Sequence, residues 1–320
     1  MASSLIVVIP TSGRPDLLRR TLDSLSHCRK PAIYRKTVVI ENGPKTDAEE
    51  VVRDYHTSLI SQYLYEPIGN KSRALNKVLE REQDGLIFFT DDDARFDVDI
   101  LCAYAEAAKG IQRGQFYGGP MGVDYEQEPP SWHKSYLPPS AIGLNFGSYR
   151  KLRSGDLRPF QGINWAAFAK DLILLGGFNP DLGPGSVIKS TGQEADMHRR
   201  LFDYGVQQVD VPEARVWHFV PTARCSPRWI IKRAYRQGVL RGYLYGRQTQ
   251  TFMGFQFWMV KVWLKFIAKV LSTSLSGTNQ TRFDALYNLA LQSGKIQGVR
   301  KSQKNSLVKF FNESTDATFP

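Results

Sequence analysis

Residues 85–93 read Gly-Leu-Ile-Phe-Phe-Thr-Asp-Asp-Asp, an apolar run that ends in three adjacent carboxylates. The apolar part has the length and composition of a buried β-strand, so Asp91, Asp92 and Asp93 are predicted to leave the end of a strand together. Three neighbouring carboxylates repel one another unless a cation lies among them. Hard divalent ions such as Mg²⁺ and Mn²⁺ prefer such oxygen ligands; the alternative is an acidic turn that caps the next helix.

The sequence around this run alternates between short apolar strands and helical patterns. Strands are predicted at 5–10, 37–40, 63–65, 85–90 and 116–123, and helices from Pro15 onward and at 46–58, 72–82 and 97–112. Such alternation is typical of an α/β fold with a largely parallel sheet and helices on both faces. Ligands of these sheets bind beyond the carboxyl ends of the strands. The expected site therefore includes Thr11–Arg14, Glu41 with Asn42, and Asp91–Asp93.

The chain is long enough for one large domain or two medium ones, and its character changes after about residue 222. Residues 124–160 are rich in Pro, Ser, Gly and aromatic residues and are predicted to form a long loop. Residues 160–219 return to strands, with a helix predicted at 193–204. We therefore predict two parts, 1–222 and a basic helical region at 223–320.

The net charge of +11 is distributed unevenly along the chain. Residues 221–320 hold 16 lysines and arginines against 3 aspartates and glutamates, so the positive excess lies there. This asymmetry predicts an anionic partner for the C-terminal part, either nucleic acid or an anionic membrane surface. The three cysteines are far apart and form no C-x-x-C pair, which argues against a disulfide framework and favours a cytoplasmic location.

Several segments together resemble the family 2 glycosyltransferases of the GT-A fold. They occur in the family's order over roughly residues 4–220: Val8–Pro15, Asn70–Asn76, Phe89–Ala94, Gly162–Trp165 with Leu175–Phe178, and Thr191–Leu201. The resemblance implies a Rossmann-like mixed sheet flanked by helices, with a C-terminal helical extension. It implies inverting transfer of a sugar from a nucleotide-diphosphate sugar to an acceptor hydroxyl, in polysaccharide or glycoconjugate assembly. The nucleotide-binding part would be 1–123 and the acceptor part 124–222.

The resemblance assigns the donor site to residues near the strand ends. Nucleotide-sugar binding is expected from Pro10, Thr11, Arg14, Glu41, Asn42, Lys71, Arg73, Asp91, Asp92, Trp165 and Arg224. Lys71 and Arg73 begin a predicted helix, where they can pair with phosphate oxygens or form a solvated basic first turn. Many relatives have Asp where this chain has Glu41. Arg224 lies in 220–228, a segment predicted to be a lid over the diphosphate.

The expected metal ion is Mn²⁺ or Mg²⁺, with Asp91, Asp93 and His218 as its candidate ligands. By resemblance, Asp93 is the main ligand, and His218 follows a strand after which relatives often carry a metal-binding histidine. Neutral imidazole suits Mn²⁺ in a mixed oxygen and nitrogen site. A histidine in such a place can also be a hydrogen-bonded structural residue, and this alternative stays open.

Inverting transfer needs one general base for the acceptor hydroxyl, and a carboxylate suits that role. By resemblance, Glu194 falls where the family's catalytic Asp stands, and Gln193 falls where its Glu stands. Glu194 reaches one methylene further than Asp and is predicted to be the base, with Asp196 as the second candidate. The competing interpretation is that Thr191 and Glu194 form a capping box at the start of a helix.

The C-terminal part carries the pattern of an interfacial helix. Residues 227–247 alternate basic and bulky groups, and 252–271 are largely apolar apart from Lys261, Lys265 and Lys269, which form one helical stripe. A spanning helix would bury these charges, whereas a helix in the interface lets them reach lipid head groups. We expect 227–271 to contact an anionic membrane surface at the inner face of the plasma membrane, near a glycan or lipid-linked acceptor. A helix docked on the catalytic domain is the alternative.

Three other functions fit parts of the sequence less well. A dinucleotide-dependent oxidoreductase needs G-x-G-x-x-G after the first strand, where this chain has Thr11-Ser12-Gly13-Arg14-Pro15. A metal-dependent nuclease or other phosphoryl-transfer enzyme, the main alternative, would want more carboxylates on neighbouring strands. A non-catalytic nucleic-acid-binding protein leaves the acidic strand end unexplained, so nucleic acid is not an expected partner.

Overall fold

The computed structural model describes residues 4–145, 157, 160–186, 192–246 and 257–315, with side chains up to residue 303. The contacts divide the chain into two compact units. The first comprises Met1–Pro129, Leu137–Ser186 and Gly192–Thr222, and the second comprises Pro130–Tyr136, Val187–Thr191 and Ala223–Pro320.

The first unit is built on two sheets. Within the described residues the strands are β1 Leu5–Thr11, β2 Tyr34–Asn42, β3 Ser61–Glu66, β4 Leu86–Phe89, β5 Ala94–Phe96, β6 Gln115–Gly118, β7 Met121–Tyr125, β8 Trp165–Phe168, β9 Gln207–Asp210 and β10 Val216–Val220. The main sheet has the order β3-β2-β1-β4-β8-β6-β9. Strands β1 to β4 run parallel in it, and β8 is antiparallel to both of its neighbours. The sheet is therefore mixed, and its parallel half brings the ends of β1, β2 and β4 to one edge.

Helices cover both faces of the main sheet. The helices up to residue 203 are α1 Pro15–Ser26, α2 Ala48–Asp54, α3 His56–Leu59, α4 Lys71–Leu79, α5 Ile100–Ala107, α6 Ser131–Lys134, α7 Pro139–Ile142, α8 Ala169–Leu174 and α9 Gln193–Asp203. Side chains alternate across a strand, so Leu5 and Val7 pack with Leu18 and Leu22 of α1 on one face. Ile6 packs with α4 on the other face. The predicted helix at 46–58 is two helices, α2 and α3, because the chain leaves helical geometry at Tyr55.

The predicted single strand at 116–123 is wrong. It is two strands, β6 in the main sheet and β7 in a smaller sheet of order β5-β10-β7. The chain changes sheets at Gly119 and Pro120, and a Cβ on Gly119 would lie 1.9 Å from the carbonyl oxygen of Ala214. Only glycine allows the two backbones to approach so closely. The change of sheet matters because the small sheet holds His218 on β10, next to the strand that follows the acidic run.

Among the residues of the second unit that the structure describes there are three long helices, α10 Pro227–Gly246, α11 Phe257–Ser276 and α12 Asn279–Thr315. Helices α10 and α12 pack closely because glycines line their contact. A Cβ on Gly238 would lie 2.1 Å from the Leu291 carbonyl oxygen, and one on Gly294 would lie 2.0 Å from that of Tyr235. No helix in the described part of the chain is both long and apolar enough to cross a membrane.

Candidate functional site

The three carboxylates that follow β4 have different surroundings. Asp92 is fully buried, accepts a hydrogen bond from Thr11 Oγ1 at 2.6 Å and forms an ion pair with Arg14. Burial raises the pKa of Asp92 to about 6, and the positive charge of Arg14 works against this rise. Asp92 is therefore joined to the loop after β1 through Thr11 and Arg14.

Asp93 lies between a guanidinium and an imidazole. Arg14 Nη1 donates to Asp93 Oδ2 at 2.8 Å, and His218 Nε2 lies 3.3 Å from Asp93 Oδ1. His218 Nδ1 is 2.5 Å from the carbonyl oxygen of Ser140. A carbonyl only accepts, so Nδ1 carries the proton, and in the neutral ring Nε2 turns its lone pair towards Asp93.

This geometry fits a metal ligand pair. A carboxylate oxygen and an imidazole lone pair that face each other need a proton or a cation between them. A ring nitrogen that donates to a backbone carbonyl is also the usual support for a metal-binding histidine. In the part of the chain that the structure describes, no three His, Cys, Asp or Glu side chains are already arranged to hold a metal ion. Arg14, which bridges Asp92 and Asp93, supplies a positive charge there.

Asp91 is joined to the start of α4. Lys71 Nζ donates to Asp91 Oδ1 at 2.5 Å. Burial lowers the pKa of Lys71, but the negative charges of Asp91 and then Glu194 outweigh this, and the pKa stands above its ordinary value. Asn70 caps the helix by accepting from the Arg73 backbone N–H at 3.0 Å, and the Arg73 side chain is exposed. Lys71 is therefore a held cation between two carboxylates, whereas Arg73 extends from the first helical turn.

Glu194 lies in the first turn of α9, beside a small cavity. The cavity is lined by Pro10, Lys71, Leu75, Phe89, Thr90, Gly162, Trp165, Phe178, Gln193 and Glu194. Glu194 Oε2 and Thr90 Oγ1 are both buried, and neither has a hydrogen-bond partner among the described residues. A Cβ on Gly162 would lie 3.1 Å from Glu194 Cδ, so the glycine makes room for the carboxylate. A shielded carboxylate oxygen with spare accepting capacity suits a group that receives a proton.

The helix that carries Glu194 does not begin as a capping box would require. Its N-cap is Gly192, in the left-handed region at φ 93°, with no side-chain cap hydrogen bond. Glu194 is therefore at the second helical position, whereas a capping box needs it at the third. Thr191, the other half of that interpretation, lies outside the described residues.

Asp196 forms an ion pair within α9. Its carboxylate accepts from Arg200 Nε at 2.9 Å. The same guanidinium donates to the backbone carbonyls of Leu175 at 2.7 Å and Gly177 at 2.8 Å. Asp196 thus contributes to a clamp between α9 and the turn after α8.

Glu41 and Asn42 at the end of β2 have structural contacts. Glu41 is fully buried, and its two oxygens accept from the Thr46 backbone N–H at 2.9 Å and from the Tyr63 hydroxyl at 2.5 Å. Asn42 Nδ2 donates to the carbonyl of Thr11 at 2.9 Å. Asn42 therefore ties the ends of β1 and β2 together, next to the residues that hold Asp92.

The remaining predicted residues fall in different places. Trp165 is buried, its ring stacks on Phe89 at 4.5 Å, and it lines the Glu194 cavity. Arg224 lies in a 3-10 turn at Thr222–Cys225 and belongs to the second unit. Thr90 and Ser140 also lie at the site and were not among the residues predicted from the sequence. Thr90 is adjacent to Asp91 at a strand end, which was an available signal, whereas the Ser140 backbone carbonyl had none.

Comparison with known proteins identifies the family. The sequence profile of glycosyl transferase family 2 matches residues 6–172, which is more than half of the chain. The chain belongs to glycosyl transferase family 2. It is a glycosyltransferase, and the alternative of a nuclease or other phosphoryl-transfer enzyme gains no support.

The transferase is also similar to one curated protein and to one solved structure. It is 28% identical over 237 residues to the succinoglycan biosynthesis protein ExoM of Rhizobium meliloti, covering 73% of this chain and 72% of ExoM. The mannosyltransferase PcManGT from Pyrobaculum calidifontis, solved with GDP-Man and Mn²⁺, is 18% identical and superposes with a TM-score of 0.54. This superposition covers 94% of the transferase and 87% of PcManGT. Together with the family, this likeness confirms the expected GT-A fold.

Proposed function

We propose that the transferase moves a sugar from a nucleotide-diphosphate sugar to a hydroxyl of a glycan or lipid-linked acceptor, with inversion, in polysaccharide assembly. The observation that carries this proposal is the shielded carboxylate of Glu194 near Lys71, which also pairs with the acidic run. The candidate site therefore has the carboxylates Asp91–Asp93 on one side and Glu194 on the other, and Lys71 interacts with both. The likeness to ExoM, a succinoglycan biosynthesis protein, supports polysaccharide assembly as the setting.

The donor is proposed to bind at the carboxyl ends of β1, β2 and β4. Pro10, Thr11, Arg14, Glu41 and Asn42 would surround the nucleoside, because they converge at this edge of the sheet. The remaining donor contacts are proposed for Lys71, Arg73, Asp91, Asp92, Trp165 and Arg224. Lys71 and Arg73 are cations at a helix N-terminus, which is a favourable place for phosphate oxygens. Arg14 can pair with a phosphate in the same way once it leaves Asp93.

Asp93, His218 and Asp91 are the proposed ligands of Mn²⁺ or Mg²⁺. The orientation of His218 by the Ser140 carbonyl and the 3.3 Å approach of its Nε2 to Asp93 support the pair. A bound divalent ion would neutralise the negative charge that develops on the departing diphosphate. That PcManGT was solved with Mn²⁺ favours manganese as the first ion to test.

Glu194 is proposed to act as the general base. It accepts the proton of the acceptor hydroxyl while the hydroxyl oxygen attacks the anomeric carbon. The bond from that carbon to the diphosphate oxygen breaks on the opposite face, and the diphosphate leaves with the electron pair. Inversion follows because attack and departure occur on opposite faces of the sugar. Asp196 remains the second candidate, although its ion pair with Arg200 favours a role in holding α9.

The base assignment is tested with Glu194→Gln and its matched control Asp196→Asn. The amide keeps the shape of Glu194 but cannot take a proton, so kcat should fall by about 10²–10⁴ while donor affinity is unchanged. Turnover is measured by nucleoside diphosphate release and donor Kd by calorimetry.

Asp196→Asn should mainly lower the melting temperature, because it weakens the Arg200 clamp. If Glu194→Gln retains turnover and Asp196→Asn loses it at an unchanged melting temperature, the base is Asp196.

The transferase is proposed to work in the cytoplasm, peripherally at the inner face of the plasma membrane. A membrane-delivered acceptor would explain why residues 221–320 hold 16 of the 42 lysines and arginines but only 3 of the 31 aspartates and glutamates. Residues 227–271 would then contact anionic lipid.

A further inference from the structure

Helix α11 is less covered than α10 in the second unit. Met259 is its one buried residue, whereas α10 buries Ile230, Ala234, Val239 and Tyr243 among others. Helix α10 has its closest approach to α12 through the glycines of both helices. Helix α11 therefore offers more apolar surface to a partner than α10, on which Tyr235 and Leu244 are only 38% and 41% exposed.

The four most exposed apolar residues of α11 fall on one stripe, whereas Trp258, which is 42% exposed, lies about 100° away around the axis. Phe257, Leu264, Leu271 and Leu275 have 75%, 54%, 65% and 89% of their surface exposed. At 3.6 residues per turn these four positions lie within about 40° of one another around the helix axis. A row of large apolar side chains in water is unfavourable unless a partner covers it.

The lysines of α11 lie beside this stripe, on the same outward side. Lys261, Lys265 and Lys269 are all exposed, and helical geometry places them within about 120° of Phe257 on one side of the stripe. Helix α11 contains no acidic residue. Lys269 has an ion pair with Asp284 of α12 at 3.0 Å, which is an exposed and therefore weak contact.

The inward side of α11 is occupied. Trp263 Nε1 donates to Ser293 Oγ at 2.9 Å, and Gln292 Nε2 donates to the Met259 carbonyl at 3.1 Å. Both partners belong to α12, so the helix is held and its outer face is fixed. A pre-ordered amphipathic face binds without the entropic cost of folding on contact.

We propose that the outer face of α11 docks on an anionic lipid surface, with Phe257, Leu264, Leu271 and Leu275 entering the acyl boundary. The lysines then reach the phosphate-bearing head groups beside the stripe. A second copy of this chain is a poorer partner, because its own α11 would bring lysines and no carboxylate against these lysines. This inference rests on the membrane contact proposed above and narrows it from 227–271 to one helical face.

The test measures binding of the full chain to vesicles and does not require turnover. Wild type is sedimented with vesicles of phosphatidylcholine alone or with about one third phosphatidylglycerol, at low and high salt. The stripe variant carries Leu264→Gln, Leu271→Gln and Leu275→Gln, and the charge variant carries Lys261→Gln, Lys265→Gln and Lys269→Gln. The matched control carries Leu174→Gln and Leu286→Gln, two leucines that are exposed on other helices.

Wild type and the matched control should bind the anionic vesicles and lose affinity with salt. The charge variant should bind about a hundredfold more weakly, and the stripe variant should lose on the order of tenfold or more. The proposal is overturned if wild type does not bind anionic vesicles, or if the stripe variant binds them as tightly as wild type. It is also overturned if light scattering shows that wild type is a dimer and that the stripe substitutions convert it to a monomer. Glycosyl transfer that persists in the stripe variant with a soluble acceptor leaves the catalytic proposal intact.

Discussion

The carboxylate of Asp93 pairs with Arg14 and is also a proposed ligand of the divalent metal ion. Its Oδ2 accepts from Arg14, and its Oδ1 lies 3.3 Å from Nε2 of His218. A divalent ion bound between Asp93 and His218 would compete with Arg14 for the same carboxylate. Arg14 would then be released towards the donor phosphates, and metal and donor binding would be coupled through this one residue.

We expect Asp93→Asn to remove metal-dependent binding of a nucleoside diphosphate. The amide keeps the size of the side chain but loses the charge that a hard cation needs. Loss of a residue that merely orients a metal ligand costs 10–100-fold in metal affinity, so loss of the ligand itself should cost about a hundredfold or more. Calorimetric titration of Mn²⁺ with and without UDP or GDP measures the effect.

The exposed Asp84 provides the matched control, because Asp84→Asn removes the same charge before the start of β4, at the opposite end of that strand from the acidic run. Unchanged Mn²⁺ affinity in Asp93→Asn would remove Asp93 from the metal site.

At the scale of the element, α9 carries both Glu194, the proposed base, and a buried histidine that bears on stability. Its His198 is buried between aromatic rings, 4.4 Å from the centroid of Trp165 and 5.6 Å from that of Phe116. Neither ring nitrogen has a hydrogen-bond partner among the described residues. Burial lowers the pKa of His198 to about 3, so the histidine is neutral in the folded protein.

This burial predicts a pH dependence of stability. Below the ordinary pKa of about 6.5 the unfolded chain binds a proton on His198 that the folded chain does not. The free energy of unfolding should therefore fall as the pH drops from about 6.5 towards 3, by about 1.4 kcal/mol per pH unit from this group. Urea unfolding of wild type and His198→Leu at pH 7.5, 6.5, 5.5 and 4.5 measures the difference.

The comparison of the two proteins isolates His198. Asp92 has a raised pKa and contributes a slope of the opposite sign over part of this range, but it does so in both proteins. The free energy of unfolding of His198→Leu should therefore rise relative to that of wild type as the pH falls. A gap that stays constant with pH would contradict the assignment of a neutral buried histidine.

Some of the secondary-structure elements could be predicted from the sequence, and others could not. The strand before Asp91 was predictable because a continuous apolar run marks a strand buried on both faces. The division between β6 and β7 was not, because a Gly-Pro pair inside an apolar run gives no sign that the next strand joins another sheet. The burial of Glu41 depends on Thr46 and Tyr63, whose positions are set by tertiary structure rather than by local pattern.

At the scale of the molecule, the two units have different compositions. The first contains the acidic run and Glu194, and the second contains the basic helices with the exposed stripe of α11. The charge asymmetry was visible in the sequence, but the choice of helical face was not. Lys261, Lys265 and Lys269 already predicted a stripe, and only the packing of α11 on α12 shows which leucines stay exposed.

We propose above that the acidic strand end belongs to a metal-dependent site for a nucleotide-diphosphate sugar. The most direct measurement is the shift in melting temperature of wild type with UDP, GDP, dTDP, NAD or an oligonucleotide, each with and without Mn²⁺. We expect stabilisation by at least one nucleoside diphosphate only when Mn²⁺ is present, because ligand binding to the folded state raises its stability. Stabilisation by NAD, or by the oligonucleotide alone, would contradict it.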